Sequence, residues 1–357
     1  MLSCFFIVNS QAAVVGLPLV EDFSDDSLQD ISLSNAKWSM TNGNASLATS
    51  LPKLPILPDA TSVGSALGSE IDNRNTATAG DIDADGDIDL VVGTSSGIKL
   101  YYNDGAGNYS VTGTSFGVMA DIQSLVLGDI NKNGSLDIVI HLTDGNYDVY
   151  VNDGAGLFST VSNSLPFTQE YSQNIALGDL DADGDLDLVV ADSDLGFFGP
   201  NGEIFSGKNN RWFRSYGDGL FNHTSIAIGS EAQANSSVEL ADMDNDGDLD
   251  ALFGNLDGTD ALYLNDGVGN FSAVINIGSD NTNSTRDIAV GDVDNDGDLD
   301  IVSATKATNK LYLNDGTANF SAAIEISTDS EFSGSIQLSD IDNDGDLDAV
   351  FAGTQGD

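Results

Sequence analysis

One string recurs along this chain in six copies: GDIDADGDID from Gly80, GDINKNGSLD from Gly128, GDLDADGDLD from Gly178, ADMDNDGDLD from Ala241, GDVDNDGDLD from Gly291 and SDIDNDGDLD from Ser339. Take the first Asp of each copy as position 1. The first loop then offers side-chain oxygens from Asp81, Asp83, Asp85 and Asp89, at positions 1, 3, 5 and 9. Alternation turns positions 1, 3 and 5 to the inner side of a tight curve. Gly86 at position 6 permits the bend, and Asp87 at position 7 offers its backbone carbonyl. Every donor is a hard oxygen, which suits Ca²⁺ with its six to eight ligands at ~2.3–2.6 Å. Mg²⁺ demands a stricter octahedron, and Zn²⁺ would want His or Cys, of which the chain holds two and one.

Charge supports a cation. The net charge is −46, and 27 of the 57 acidic residues fall in these six loops. Two unit charges ~5 Å apart repel by roughly 1–3 kcal/mol, depending on screening, so such clusters call for a counter-ion. Nucleic acid and anionic membranes are poor partners for this surface. Other calcium loops fit less well. An EF-hand needs Glu at position 12 between helices, but position 12 here is Val92 in an apolar run. The glycine-rich nonapeptide repeat is absent. The competing reading of a single copy is a plain Asx-turn hairpin without metal, and six regular copies argue against it.

The elements that position these loops follow from the spacing. Successive first aspartates lie 48, 50, 63, 50 and 48 residues apart, the length of one four-stranded propeller blade. A second string follows each of the first five loops: LYYNDG from Leu100, VYVNDG from Val149, WFRSYG from Trp212, LYLNDG from Leu262 and LYLNDG from Leu311. Asn-Asp-Gly between apolar runs is a hairpin signal. Each unit therefore reads as strand A, Asp loop, strand B (DLVVGT, DIVIHL, DLVVAD, DALFGN, DIVSAT, DAVFAG), strand C with the LYLND run, and strand D. The B strands are short, apolar and mostly β-branched, as central strands should be. No segment has a helical period. The fold class expected is all-β, a β-propeller of four-stranded blades.

These repeats resemble VCBS and FG-GAP-type repeats, the family that includes the integrin α-subunit propeller. The resemblance covers about residues 62–357. The Phe-Gly and Gly-Ala-Pro strings behind the FG-GAP name are not evident, which makes VCBS the nearer label. The resemblance implies a propeller of usually seven blades, with Ca²⁺ held in the A–B loops on one face. By motif position the ligands would be Asp81, Asp83, Asp85, Asp87 and Asp89 in the first loop and Asp179, Asp181, Asp183, Asp185 and Asp187 in the third. The fourth gives Asp242, Asp244, Asp246, Asp248 and Asp250, and the fifth Asp292, Asp294, Asp296, Asp298 and Asp300. The sixth gives Asp340, Asp342, Asp344, Asp346 and Asp348. The second departs, with Asp129, Asn131, Asn133, Ser135 and Asp137, and is expected to bind most weakly. The expected load is about four to six Ca²⁺ per chain.

Little else in the chain suggests chemistry. His141 and His223 stand in no motif and read as structural. No nucleophile elbow, zinc-protease helix or phosphate loop is present. The third unit is 13 residues longer than its neighbours, through an insertion at Ser193–Asn210 between strands B and C. It carries Phe197, Phe198 and Phe205, with Arg211, Trp212 and Arg214 just after. Strand direction places B–C loops opposite the calcium loops, where the resemblance implies partners bind. These six residues are therefore the expected ligand face, with packing over the ring as the plainer alternative. Two function classes stay open: a binding or adhesion module for a glycan or cell-surface protein, and the propeller of a secreted polysaccharide lyase. A lyase needs a base and a charge neutraliser, and only 11 Lys+Arg and two His exist, so no enzymatic activity is expected.

The ends of the chain are less regular. Residues 1–13 read as a secretory signal: MLSCFFIV is apolar and Ser10-Gln11-Ala12 resembles a cleavage site, although no positive charge precedes it. A buried first strand is the alternative. A secreted or cell-surface location is expected. Cys4 is the only cysteine, so metal rather than disulfides would staple the fold. No later stretch is apolar for long enough to span a membrane. Residues 14–61 lie outside the repeat, with strands expected around Trp38. Residues 62–68 read as a D strand closing the last blade, whose own C and D strands are missing because the repeat stops at Asp357, as in a truncated propeller.

Overall fold

The computed structural model describes residues 19–21, 38–41, 44–47 and 76–354, the last span apart from 106–108, 112–115, 118–119, 162–171, 193–196, 199–203, 206–208, 231–233, 279–283, 327–331 and 341–343. Every regular element among them is a β-strand, and no helix is long and apolar enough to cross a membrane.

Each repeat folds as the string order predicts. Thr76–Gly80, Asp89–Thr94, Gly97–Asn103 and Tyr109–Val111 form the first antiparallel sheet, in the order A, B, C, D. The next four units repeat it, with B strands at Asp137–Leu142, Asp187–Asp192, Asp250–Asn255 and Asp300–Thr305. These four are buried along their whole length, which is why they are mostly apolar after the first Asp, with His141, Asp192, Asn255, Ser303 and Thr305 as buried polar exceptions. The outermost D strands are short and partly exposed, such as Phe158–Val161 and Ile226–Ala227, and short strands blunt a sheet edge.

The core lies between the sheets. Ile82, Val91 and Ile98 of the first unit pack on Ile122, Ile138 and Tyr150 of the second. Equivalent clusters join each later pair; the last sets Val302 and Leu311 against Ile336 and Phe351. Face-to-face stacking of successive sheets is the blade packing of a propeller.

Two sequence features acquire an inter-blade meaning. The residue before position 1 pairs with position 9 to close each A–B hairpin, as in Gly178↔Asp187. A Cβ on Gly178 would come within 2.8 Å of Leu240 Cδ1 and 2.9 Å of Leu249 Cδ1 in the next blade, so glycine leaves room for those leucines. The Asn of the Asn-Asp-Gly string also reaches across the seam. Asn152 Nδ2 donates to the Ile82 carbonyl, Asn265 Nδ2 to that of Leu180 and Asn314 Nδ2 to that of Met243, each at 2.8 Å. Each acceptor is position 2 of the preceding blade's Asp loop. The string read as a hairpin turn is thus also the clasp between blades.

The sixth sheet differs from expectation. Phe332–Ser339 and Asp348–Thr354 are its A and B strands, and Leu19–Glu21 takes the place of strand C, in antiparallel register Leu19↔Phe351. The N-terminal segment therefore supplies a blade strand. Residues 62–68, expected to close that blade, and the signal at 1–13 lie outside the described residues. Trp38–Thr41 and Asn44–Leu47 form a separate hairpin, in line with the strands expected there. Six blade sheets stand among the described residues, where the resemblance implied seven in a full ring.

Candidate metal centre

The A–B loops share one backbone path, and its hydrogen bonds explain why the sequence folds that way. Position 1 organises the turn. Asp81 accepts N–H bonds from Asp85 (3.2 Å) and Gly86 (3.0 Å), and Asp129, Asp179, Asp242, Asp292 and Asp340 do the same at their own positions 5 and 6. Position 5 then accepts from position 7, as Asp246 does from Asp248 N–H at 3.1 Å. The turn needs two left-handed residues. Position 6 is glycine in every copy, but position 4 is also left-handed at Ala84, Lys132, Ala182, Asn245 and Asn295, with φ of 56–61°. Only the two asparagines signal that conformation in the sequence.

Position 9 is buried and anchors the loop to its blade. Asp300 is fully buried; its Oδ2 accepts Val293 N–H at 3.0 Å and its Oδ1 accepts Asn314 N–H at 2.9 Å. Asp89, Asp137, Asp187 and Asp250 make the same pair of bonds. The carboxylate thus joins position 2 of its loop to the start of the C–D turn.

The remaining carboxylate edges converge. Asp81, Asp83 and Asp85 offer oxygens within 4.8 Å of one another; so do Asp179, Asp181 and Asp187, then Asp242, Asp244 and Asp246, and then Asp292, Asp294 and Asp300. Position 3 carries the informative atom. Oδ1 of Asp83, Asp181, Asp244 and Asp294 is buried and accepts no hydrogen bond. A buried oxygen without a donor is costly, and the same atom recurs in four loops. A hard cation at the centre of the cluster would satisfy it, so the residues present fit calcium on chemistry and on geometry.

Position 7 behaves differently. Its side chain lies over the glycine of the following turn, as Asp248 does at Gly267, and points toward the neighbouring loop. Asn245 Nδ2 donates to Asp298 Oδ1 at 2.7 Å, and Asn295 Nδ2 to Asp346 Oδ1 at 2.5 Å. Position 4 of one loop thus holds position 7 of the next. The second loop keeps the frame with amides: Asn131 Oδ1 accepts Asn133 N–H at 3.0 Å, and Asn133 Oδ1 accepts Ser135 N–H at 2.9 Å. In the sixth, Asp340, Asp344 and Asp346 repeat the pattern beside a buried Asp348, while Asp342 lies outside the described residues.

Burial and mutual repulsion hold these acids protonated too readily. Burial raises Asp187 to about 7 and Asp137, Asp250 and Asp300 to about 6. Asp83, Asp244 and Asp294 are raised by burial first, then by the position-5 carboxylate beside them. Outside the loops, burial raises Asp260 and Asp287 to about 6 and Glu239 to about 8. The folded, metal-free chain therefore binds more protons than the unfolded one above about pH 4. Its stability is full below that pH and is lost as pH rises through about 6–8. Metal binding requires the deprotonated acids and strengthens over the same range. In chelator, the urea midpoint should be higher at about pH 5 than at about pH 7.5, and saturating Ca²⁺ should reverse the order. A chelated protein that gains stability across that interval would contradict the assignment.

Of the expected ligand face, Arg211, Trp212 and Arg214 do not share one exposed surface, and Trp212 follows the packing alternative. Trp212 is 2% exposed and packs between the third and fourth blades. Arg211 is buried and bonds Asp192 at 2.5 Å. Strand C here spans only Arg211–Phe213, so the chain has already crossed to the Asp-loop end at Arg214, which pairs with Asp181 and, at 3.6 Å, with Asp183. Phe197–Phe198 and Ile204–Phe205 form a hairpin within the insertion, paired Phe197↔Phe205. His141 is buried against the Tyr147 ring, 4.6 Å between centroids, as a structural histidine should be.

Four-stranded sheets stacked face to face, each with an Asp-rich loop on its A–B hairpin, define a β-propeller type of repeat. The chain belongs to the FG-GAP-like repeat family, which matches residues 81–140, 136–190, 197–253, 242–303 and 292–351. Among solved structures it is similar to an Agrocybe aegerita lectin described for specific recognition of non-reducing terminal N-acetylglucosamine. That likeness has 21% identity over 73% of this chain and 68% of the other, with a TM-score of 0.51. It is also similar to BBS1N in complex with ARL6DN, at 12% identity over 79% of this chain and 78% of the other, with a TM-score of 0.50. At these identities the likeness is one of fold. A comparison with curated proteins gives no match.

Proposed function

We propose that this chain is a secreted calcium-binding β-propeller, a rigid module that binds a glycan or protein ligand and carries out no catalysis. The observation that supports it most is the buried, unpartnered Oδ1 of position 3, repeated at Asp83, Asp181, Asp244 and Asp294 inside clusters of like charge. About four to six Ca²⁺ per chain would turn these strained acids into cross-links between strands A and B. The bound ion supplies charge neutralisation and stiffness; the chain's own residues orient the loop through positions 1 and 9. The ligand reading rests on family and fold: the similar lectin is described as recognising N-acetylglucosamine, and BBS1N forms a complex with ARL6DN. Rigid scaffolds that present loops at both ends of their blades suit such roles.

Calorimetric titration of chelator-stripped protein with Ca²⁺, followed by a glycan array read in calcium and in chelator, tests both halves. At least four ions per chain and calcium-dependent retention on the array are expected. No calcium uptake would reject the metal assignment; uptake without any glycan retained would leave a protein partner as the ligand class.

A further inference from the structure

Two of the chain's 11 Lys and Arg residues converge on one Asp loop. Arg214 Nη2 pairs with Asp181 Oδ2 at position 3 of the third loop, and its Nε lies 3.6 Å from Asp183 Oδ2 at position 5. Lys132, from position 4 of the second loop, pairs with Asp185 at position 7. The acceptors are three of the residues assigned above to calcium. At the place of Arg214 in the repeat, the other blades carry Tyr102, Val151, Leu264 and Leu313, none of which brings a charge. At the place of Lys132, the fourth and fifth blades carry the neutral Asn245 and Asn295, which still bond to position 7 of the next loop.

We propose that the third Asp loop carries a built-in counter-cation: the Arg214 guanidinium, assisted by Lys132, competes with Ca²⁺ for Asp181 and Asp183. It makes this loop, despite its five aspartates, the weakest of the fully acidic sites, and holds the third blade together when calcium is scarce. The inference rests on the calcium reading above. Its physical basis is electrostatic competition. The guanidinium holds the Oδ2 atoms of both carboxylates and places a positive charge beside the oxygens left for calcium, so the ion binds tightly only when Arg214 swings out and gives up a charge-assisted pair. The side chain is partly exposed and has solvent to swing into. Arg211, by contrast, is committed to Asp192 in the blade interior. Composition alone ranks the loop at Asp129 as the weakest, because it bears fewer charges; the structure places the two cations one loop further on. The loops would then fill in an order set by internal cations as well as by aspartate count, and the third blade would tolerate calcium depletion better than the fourth and fifth.

The test compares the full chain with its Arg214→Leu variant, which installs the residue of the fourth and fifth blades. Ca²⁺ uptake is followed by equilibrium dialysis, and melting is measured in chelator and in saturating calcium. Arg214→Leu should tighten one site by at least about tenfold, the worth of a charged hydrogen bond. It should lower Tm in chelator and leave or raise it in calcium. Lys132→Asn changes an exposed side chain and should move uptake in the same direction by a smaller factor. It keeps the idea testable should Arg214→Leu fold poorly. Unchanged affinity in both variants overturns the inference. A parent chain that takes up no calcium overturns the calcium reading, and a variant that then binds one ion would still establish Arg214 as the competing cation.

Discussion

Removing calcium is expected to lower the melting temperature by about 20 °C. Each site held at 100-fold excess over its dissociation constant adds ~2.7 kcal/mol, so four sites add ~11 kcal/mol. For a chain of this size each kcal/mol moves Tm by roughly 2 °C. The effect is this large because the loops do not merely lose a ligand. Without the ion, the oxygens of Asp83, Asp181, Asp244 and Asp294 stay buried without a donor, and the position-5 carboxylates press on them. Scanning calorimetry with and without excess chelator measures it, and coincident curves would defeat the metal assignment. Magnesium in place of calcium should restore only part of the shift, because a nine-residue loop of flexible carboxylates suits the larger ion.

The second large effect belongs to position 9 and does not depend on metal. Asp300→Ala should destabilise even the chelated protein by about 2–6 kcal/mol, since it leaves the N–H groups of Val293 and Asn314 buried without an acceptor. Asp296→Ala, at the exposed position 5 of the same loop, should cost the chelated protein little yet lose one calcium. Urea unfolding of both variants, with and without Ca²⁺, separates the roles. Equal losses in chelator would show that position 9 is only a ligand. The distinction matters because motif position alone assigns Asp296 and Asp300 to the same set.

Much of this was legible in the sequence because it is local. Positions 1 to 9 lie within one turn of chain, so their donor types and the bend at glycine state the site's chemistry without reference to the rest of the molecule. The B strands were readable for the same reason. Burial on both faces demands a short, mostly apolar run, and DIVIHL or DLVVAD can be little else. The second loop's departure from the acidic pattern was also visible, in Asn131, Asn133 and Ser135.

What the sequence left unread lies where one residue serves two blades. Asn265 forms the turn it reads as, and its side chain also clasps the carbonyl of Leu180, 85 positions earlier. Trp212, Arg211 and Arg214 read as one exposed aromatic and basic patch because they are neighbours in the chain. Alternation along a three-residue strand sends Trp212 into the core and Arg211 to Asp192, and the strand's direction carries Arg214 to the Asp loops. No local pattern encodes which loop lies at that end.

By itself, then, the sequence determined the repeat, the strand order within each blade and the oxygen-rich loops, since these depend on period and on side-chain chemistry over short distances. Tertiary structure decided everything that crosses a seam. It set the leucines of one blade against the glycine of another, gave Leu19–Glu21 to a strand that ends at Thr354, and brought Arg214 and Lys132 to the same acidic loop. The physical reason is that contacts between blades depend on how the sheets stack, and stacking is set by the summed burial of whole faces rather than by any one residue's neighbours in the chain.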